Sequence, residues 1–194
     1  MLIIDNDRVS VWDSRLTTGE RGPNTPDDVD KIIMFIDGGD FEMTTALGAI
    51  IRVPTLPGQA MFIPRGSHQP VLASQGPLQV AIVALKDAPS PSYPNNKGLA
   101  AAFPRPGSTR MIATPRATVW RHSWQPGTPT PMYFHDKDVV VAYRHDGSLT
   151  SVSPDGAAIT TDYKKGDIRF HRGGRSHQEV LTTERQSALM VELR

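Results

Sequence analysis

Tyr133 and His135 stand two residues apart in this 194-residue chain, and His177 ends a later run, 166–177, that also carries His171, Arg169, Arg172 and Arg175. Residues i and i+2 of a strand project from one face, so Tyr133 and His135 can address the same space. The chain has no cysteine, which excludes disulfide and thiolate chemistry and leaves His, carboxylate and Tyr as metal donors. Imidazole suits Fe, Ni, Cu, Mn and Zn alike, so residue type does not name an ion. One of the arginines could read the carboxylate of a small organic acid, because a guanidinium pairs with it bidentately where an ammonium cannot. The plainer reading of that arginine cluster is a solvated loop.

Short apolar runs must position these groups. KIIMFI (31–36), LQVAIVAL (78–85), DVVVAY (138–143) and ALMVEL (188–193) are rich in β-branched residues and bounded by turn signals such as Asp37-Gly38-Gly39 and His145-Asp146-Gly147. That is the pattern of many short strands in a sandwich or barrel. No long segment has a helical apolar period, so the fold class is all-β. Trp120, His122 and Trp124 alternate on one strand face and can line a barrel or a subunit contact; His122 and His145 otherwise read as exposed edge or turn residues.

The chain is also written twice. Val11-Trp12 recurs as Val119-Trp120, Gly19 as Gly127, Asp30 as Asp138, Gly58 as Gly166 and Val83 as Val191, always at the same offset. Each copy is long enough to be a small domain. The predicted division is 1–87, a proline-rich linker over 88–113, and 114–194.

Gly127, followed after five residues by Tyr133-Phe134-His135, and the run from Gly166 to Gly174 and His177 resemble the two signature motifs of the cupin family. The first copy keeps Gly58, Pro64, Gly66 and His68 of the second motif. The resemblance implies two RmlC-like jelly-roll barrels in tandem, a bicupin. It also implies a divalent metal, Fe, Ni, Mn or Zn, in the second barrel. There His135 and His177 would ligate, with Tyr133 and Asp138 as additions.

The sequence departs from the motif in three places. Tyr133 fills the first His slot, Val139 or Val140 fills the Glu slot, and Arg172 replaces a proline. Asp138 is the nearest acid, although strict alternation turns it away from the interior. In the first copy Thr25, Asp27 and Ile32 fill the ligand slots and only His68 survives, so no metal is expected there.

The function so implied is a metal-binding small-molecule protein, a dioxygenase or isomerase acting on a small organic acid. Tyr133 and Arg175 would be its catalytic groups. The alternative is a non-catalytic binding or sensing cupin without metal. A formal net charge of +1 with no Lys/Arg run gives no argument for nucleic acid or an anionic membrane. Asp5 and Asp7 come too early for a signal sequence, and no apolar run reaches membrane-spanning length. A cytoplasmic protein with a small-molecule partner is expected, and a homodimer through exposed strand edges.

Overall fold

A computed structural model of the chain describes residues 1–44, 47–67, 73–95 and 97–194. Every regular element among them is a strand, and no helix is long and apolar enough to cross a membrane. The chain divides into two compact units, 1–89 and 90–194.

The first unit holds β1 (Leu2–Asp5), β2 (Val9–Leu16), β3 (Asp30–Phe35), β4 (Gly39–Thr44), β5 (Ile50–Thr55), β6 (Ala60–Ile63), β7 (Ala73–Ser74) and β8 (Leu78–Leu85). One sheet runs β1-β2-β8-β3-β6 and faces a smaller one, β5-β4-β7. The second unit holds β9 (Ser108–Ala113), β10 (Ala117–Trp124), β11 (Tyr133–Phe134), β12 (Val139–Tyr143), β13 (Gly147–Val152), β14 (Ala158–Tyr163), β15 (Ile168–His171), β16 (Ser176–Leu181) and β17 (Gln186–Leu193). Its sheets run β9-β10-β17-β12-β15 and β11-β16-β13-β14.

The repeat survives at the level of hydrogen-bonded register. Val11 pairs with Val83 as Val119 pairs with Val191. Ile32 pairs with Phe62 as Val140 pairs with Phe170. Gly39 pairs with Thr55 as Gly147 pairs with Tyr163. A one-residue slip would turn every inward side chain outward, so a shared register means shared inward positions. The central strands β8 and β17 are buried along their whole length, and this is why their apolar residues run consecutively rather than alternating.

The first barrel is filled by Ile33, Phe35, Phe41, Ile63, Val80 and Ile82, with Phe35 and Phe41 stacked at 5.5 Å. His68, the one histidine of the motif retained in this copy, lies outside the described residues.

The stretch expected as a linker is organised differently. Residues 108–113 are β9, paired with β10. Phe134 donates its amide to Ala100 O, and Ala102 donates its amide to Phe134 O, both at 2.9 Å. Ala102 and Phe103 enter the second core, where Phe103 stacks on Trp120 at 5.2 Å. Five prolines hid an apolar segment that closes one side of the barrel.

Candidate functional site

The β11–β16 ladder sets Tyr133 directly opposite His177. Just beyond it, His135 donates its amide to Arg175 O at 2.8 Å, and Gly174 returns one to His135 O at 2.7 Å. These bonds bring the two expected histidines together. Their ring centroids lie 5.1 Å apart, and Tyr133 is within 5.2 Å of both. The Tyr133 hydroxyl is 3.1 Å from His177 Nε2.

A cavity of about 110 Å³ opens inside the second barrel at this point. Its polar lining includes His135, His171, His177, Arg175, Glu179 and Arg105; Val139, Val141, Tyr143 and Met190 form the apolar side. Val139 therefore stands in the cavity wall, where the motif would have its glutamate. Of the three clustered arginines only Arg175 reaches the cavity; it is exposed, and its Nε donates to Arg172 O at 3.1 Å. A second cleft, of about 270 Å³, is walled largely by Pro106, Trp124, Pro129 and Pro131. It is larger but holds none of this group of titratable side chains, so the barrel cavity is the better candidate site.

Asp138 is not brought into the site. Its buried carboxylate accepts the Tyr93 hydroxyl at 2.6 Å and the Gly173 amide at 2.9 Å. Alternation along β12 sends it outward, where it ties the 90s segment to the β15–β16 turn. A Cβ on Gly173 would run into the Tyr93 ring, so glycine is required there. His122 corrects a second expectation. It is 1 % exposed and stacks edge-on against Trp124 at 4.5 Å, inside the barrel with Trp120 and Trp124.

Two residues that sequence reasoning missed dominate the site. Glu179 follows His177 by two positions on β16 and so shares its inward face. Its Oε2 accepts Trp124 Nε1 at 2.9 Å and Arg105 Nη2 at 3.2 Å, and its Oε1 lies 3.6 Å from His177 Nε2. Arg105 comes from the supposed linker, and its side chain is only 5 % exposed. Its guanidinium lies 4.3 Å from the Tyr133 ring centroid and 4.9 Å from that of Phe103. Nε and Nη1 are buried without a hydrogen-bond partner, so aromatic faces stand where oxygen acceptors would be expected. The signals were there to read: alternation through His177, Glu179 and Leu181 for the acid, and the Ala-Ala-Phe run just before Arg105 for the base.

Electrostatics follow from this packing. Burial works to raise the Glu179 carboxyl, but hydrogen bonding with His177 and the Arg105 charge hold it well below the usual carboxylate range. Burial drives the His135 imidazole well below its ordinary value, helped by His177 and Arg175. Burial likewise lowers His171, to about 4, with Arg175 adding to it. Burial and the Glu179 charge push the Tyr133 phenol well up. At neutral pH the site thus holds neutral His135, His171 and Tyr133, an Arg105–Glu179 pair, and the uncompensated cation of Arg175.

This donor set does not make a metal centre as it stands. His135 and His177 offer two imidazoles, and the carboxylate beside them is already bound by a guanidinium. Among the described residues no three His, Asp or Glu side chains converge as a ligand set. A dication would have to sit beside the fixed charge of Arg105.

No protein-family model matches the chain, and neither does any curated protein. Solved structures do match. AerE from Microcystis aeruginosa aligns over 100% of this chain and 90% of its own, with a TM-score of 0.68 at 10% identity. A cupin 2 conserved barrel domain protein from Leptotrichia buccalis aligns over 100% and 88%, with a TM-score of 0.61 at 16% identity. Oxalate decarboxylase from Bacillus subtilis aligns over 96% and 68%, with a TM-score of 0.63 at 11% identity. With two barrels of one strand order and one register, matched along almost the whole chain by such structures, this protein is in fold a tandem cupin of the RmlC-like jelly-roll type.

Proposed function

We propose that the second barrel binds a small organic anion, a carboxylate, in the cavity between β11, β12, β15 and β16. The observation that carries this reading is the charge distribution of the lining. Arg105 and Glu179 compensate one another, the imidazoles of His135 and His171 are neutral, and Arg175 alone contributes an unbalanced charge at the mouth. Neutral imidazoles of His135 and His171 can donate hydrogen bonds to carboxylate oxygens without the desolvation cost of further cations. A cavity of about 110 Å³ suits only a few heavy atoms. Binding or sensing is therefore favoured over metal-dependent turnover.

Calorimetric titration tests this. Oxalate, named for one of the structurally similar proteins, is the first probe, followed by other small mono- and dicarboxylates and their uncharged amides. Saturable binding of at least one acid is expected, with its amide at least tenfold weaker. Arg175→Met should weaken the acid by a similar factor, about 1.4 kcal/mol. Equal binding of acid and amide, or indifference to Arg175→Met, would remove the anion reading.

A further inference from the structure

We infer that the acid taken by the second barrel is a monocarboxylate with a short apolar tail, and that Glu179 and the Tyr143–Tyr163 wall select it against dicarboxylates. This rests on the anion reading above and narrows it.

The cavity changes character along the barrel. Val139, Val141 and Tyr143 alternate on the inward face of β12 and all line it. Val139 pairs with His171 on β15, whose imidazole is lowered first by burial and then by the Arg175 charge. That end is the cationic one. Val141 pairs with Met190 on β17, which lines the cavity with it. Tyr143 ends the series, its ring stacked on Tyr163 at 3.9 Å and on Trp124 at 6.3 Å. A carboxylate held at Arg175 and His171 therefore sends the rest of its molecule past Val141 and Met190 toward an aromatic wall. The tail is short, because about 110 Å³ is the space of roughly four waters.

Glu179 sets the charge the ligand can carry. It follows His177 on the inward face of β16 and pairs with Ser151 on β13, so it lies beyond the imidazole and flanks the path of the tail. Against burial, its hydrogen bond with His177 and the Arg105 charge hold its carboxyl well below the usual carboxylate range, so it is ionised at neutral pH. The lining thus sets two guanidiniums, Arg105 and Arg175, against one carboxylate. Arg105 is bound to Glu179 at 3.2 Å, which leaves Arg175 to match a single anionic group. A second carboxylate on the ligand would be buried beside Glu179 with no guanidinium of its own.

Calorimetric titration with acetate, propionate and butyrate, and with malonate and succinate, tests this. Malonate and succinate are propionate and butyrate with the end methyl exchanged for a carboxylate. Each methylene from acetate to butyrate should tighten binding about fourfold, and succinate should bind at least tenfold more weakly than butyrate. Val141→Thr, which puts a hydroxyl into the tail wall at nearly constant volume, should flatten the methylene series. Glu179→Gln, which keeps the shape and removes the charge, should narrow the gap between butyrate and succinate to threefold or less. Circular dichroism checks that each variant is folded; if Glu179→Gln is not, the wild-type pairs and the Val141→Thr series carry the test. Dicarboxylates that bind as tightly as their matched monocarboxylates, a flat methylene series in wild type, or a folded Glu179→Gln with an unchanged gap would each overturn this inference and leave the anion reading standing. Binding of no acid at all would remove both.

Discussion

The two barrels share one frame and hold opposite contents. At equivalent positions of the two copies, Phe35 is replaced by Tyr143, Phe41 by Leu149, Val80 by Ala188 and Ile63 by His171. The first set closes the interior with a stacked aromatic pair and branched aliphatics. The second set withdraws volume at Leu149 and Ala188 and brings in polar groups. The mouths differ in the same sense. Where the second barrel has His135 and Val139, the first has Asp27 and Lys31, whose ammonium is 3.6 Å from Asp27 Oδ1 and donates to Pro26 O at 2.7 Å. Backbone ladders specify the barrel, and a handful of inward side chains decide whether it is filled or hollow.

Truncation should expose that difference. Phe41 is 0 % exposed, and Phe41→Ala should cost about 4 kcal/mol, the lost transfer energy plus a cavity. Leu149→Ala, at the equivalent buried position, should cost about 3 kcal/mol, because a leucine gives up less side-chain volume than a phenylalanine. Urea unfolding followed by circular dichroism measures both. A larger loss at Leu149 would mean that the second barrel is the better packed of the two.

Glu179 offers a sharper cut. Glu179→Leu leaves the Arg105 cation buried without its carboxylate and should cost about 3 kcal/mol. Arg105→Met/Glu179→Leu replaces the whole pair with apolar side chains and should recover most of that loss. If the double variant is as unstable as the single one, the packing of the Tyr133 and Phe103 rings near Arg105 depends on the charge and not on the volume.

Much of the frame was legible before any coordinates. The constant offset between the two copies, the turn glycines and the β-branched runs are properties of the backbone ladder, which is repeated with one register. Strand alternation put Tyr133 and His135 on one face, and the motif resemblance added His177 to them. Asp138 was placed correctly by the same rule, facing away, and only the motif made it a candidate. Glu179 lies two residues beyond the motif's last histidine, where the motif says nothing about residue type. Arg105 was missed because proline content was read as linker, whereas proline also suits an extended edge segment that donates few backbone hydrogen bonds. A buried arginine has no periodic signature: its partners, Glu179 and Trp124, are distant in sequence and meet it only in the closed barrel.

Acid brings out the last difference between the barrels. His122 is 1 % exposed, whereas its counterpart in the first barrel is Ser14. Burial, with the Arg105 charge nearby, outweighs the opposing pull of Glu179 and pushes the His122 imidazole down to about 3 from an ordinary value of 6.5. The unfolded chain therefore binds a proton at His122 that the folded chain refuses between pH 6.5 and about 3. Stability is complete above pH 6.5 and declines as pH falls through that window. The limiting slope is about 1.4 kcal/mol per pH unit. At pH 5 the loss from this residue should be about 2 kcal/mol. His122→Leu removes the titration and keeps an apolar group against Trp124. Its unfolding free energy between pH 7 and pH 5 should fall less than that of wild type by about that amount. Parallel pH profiles for the two proteins would mean that His122 is protonated in the fold, with the cleft behind Pro106 and Gly107 admitting enough water to keep it charged.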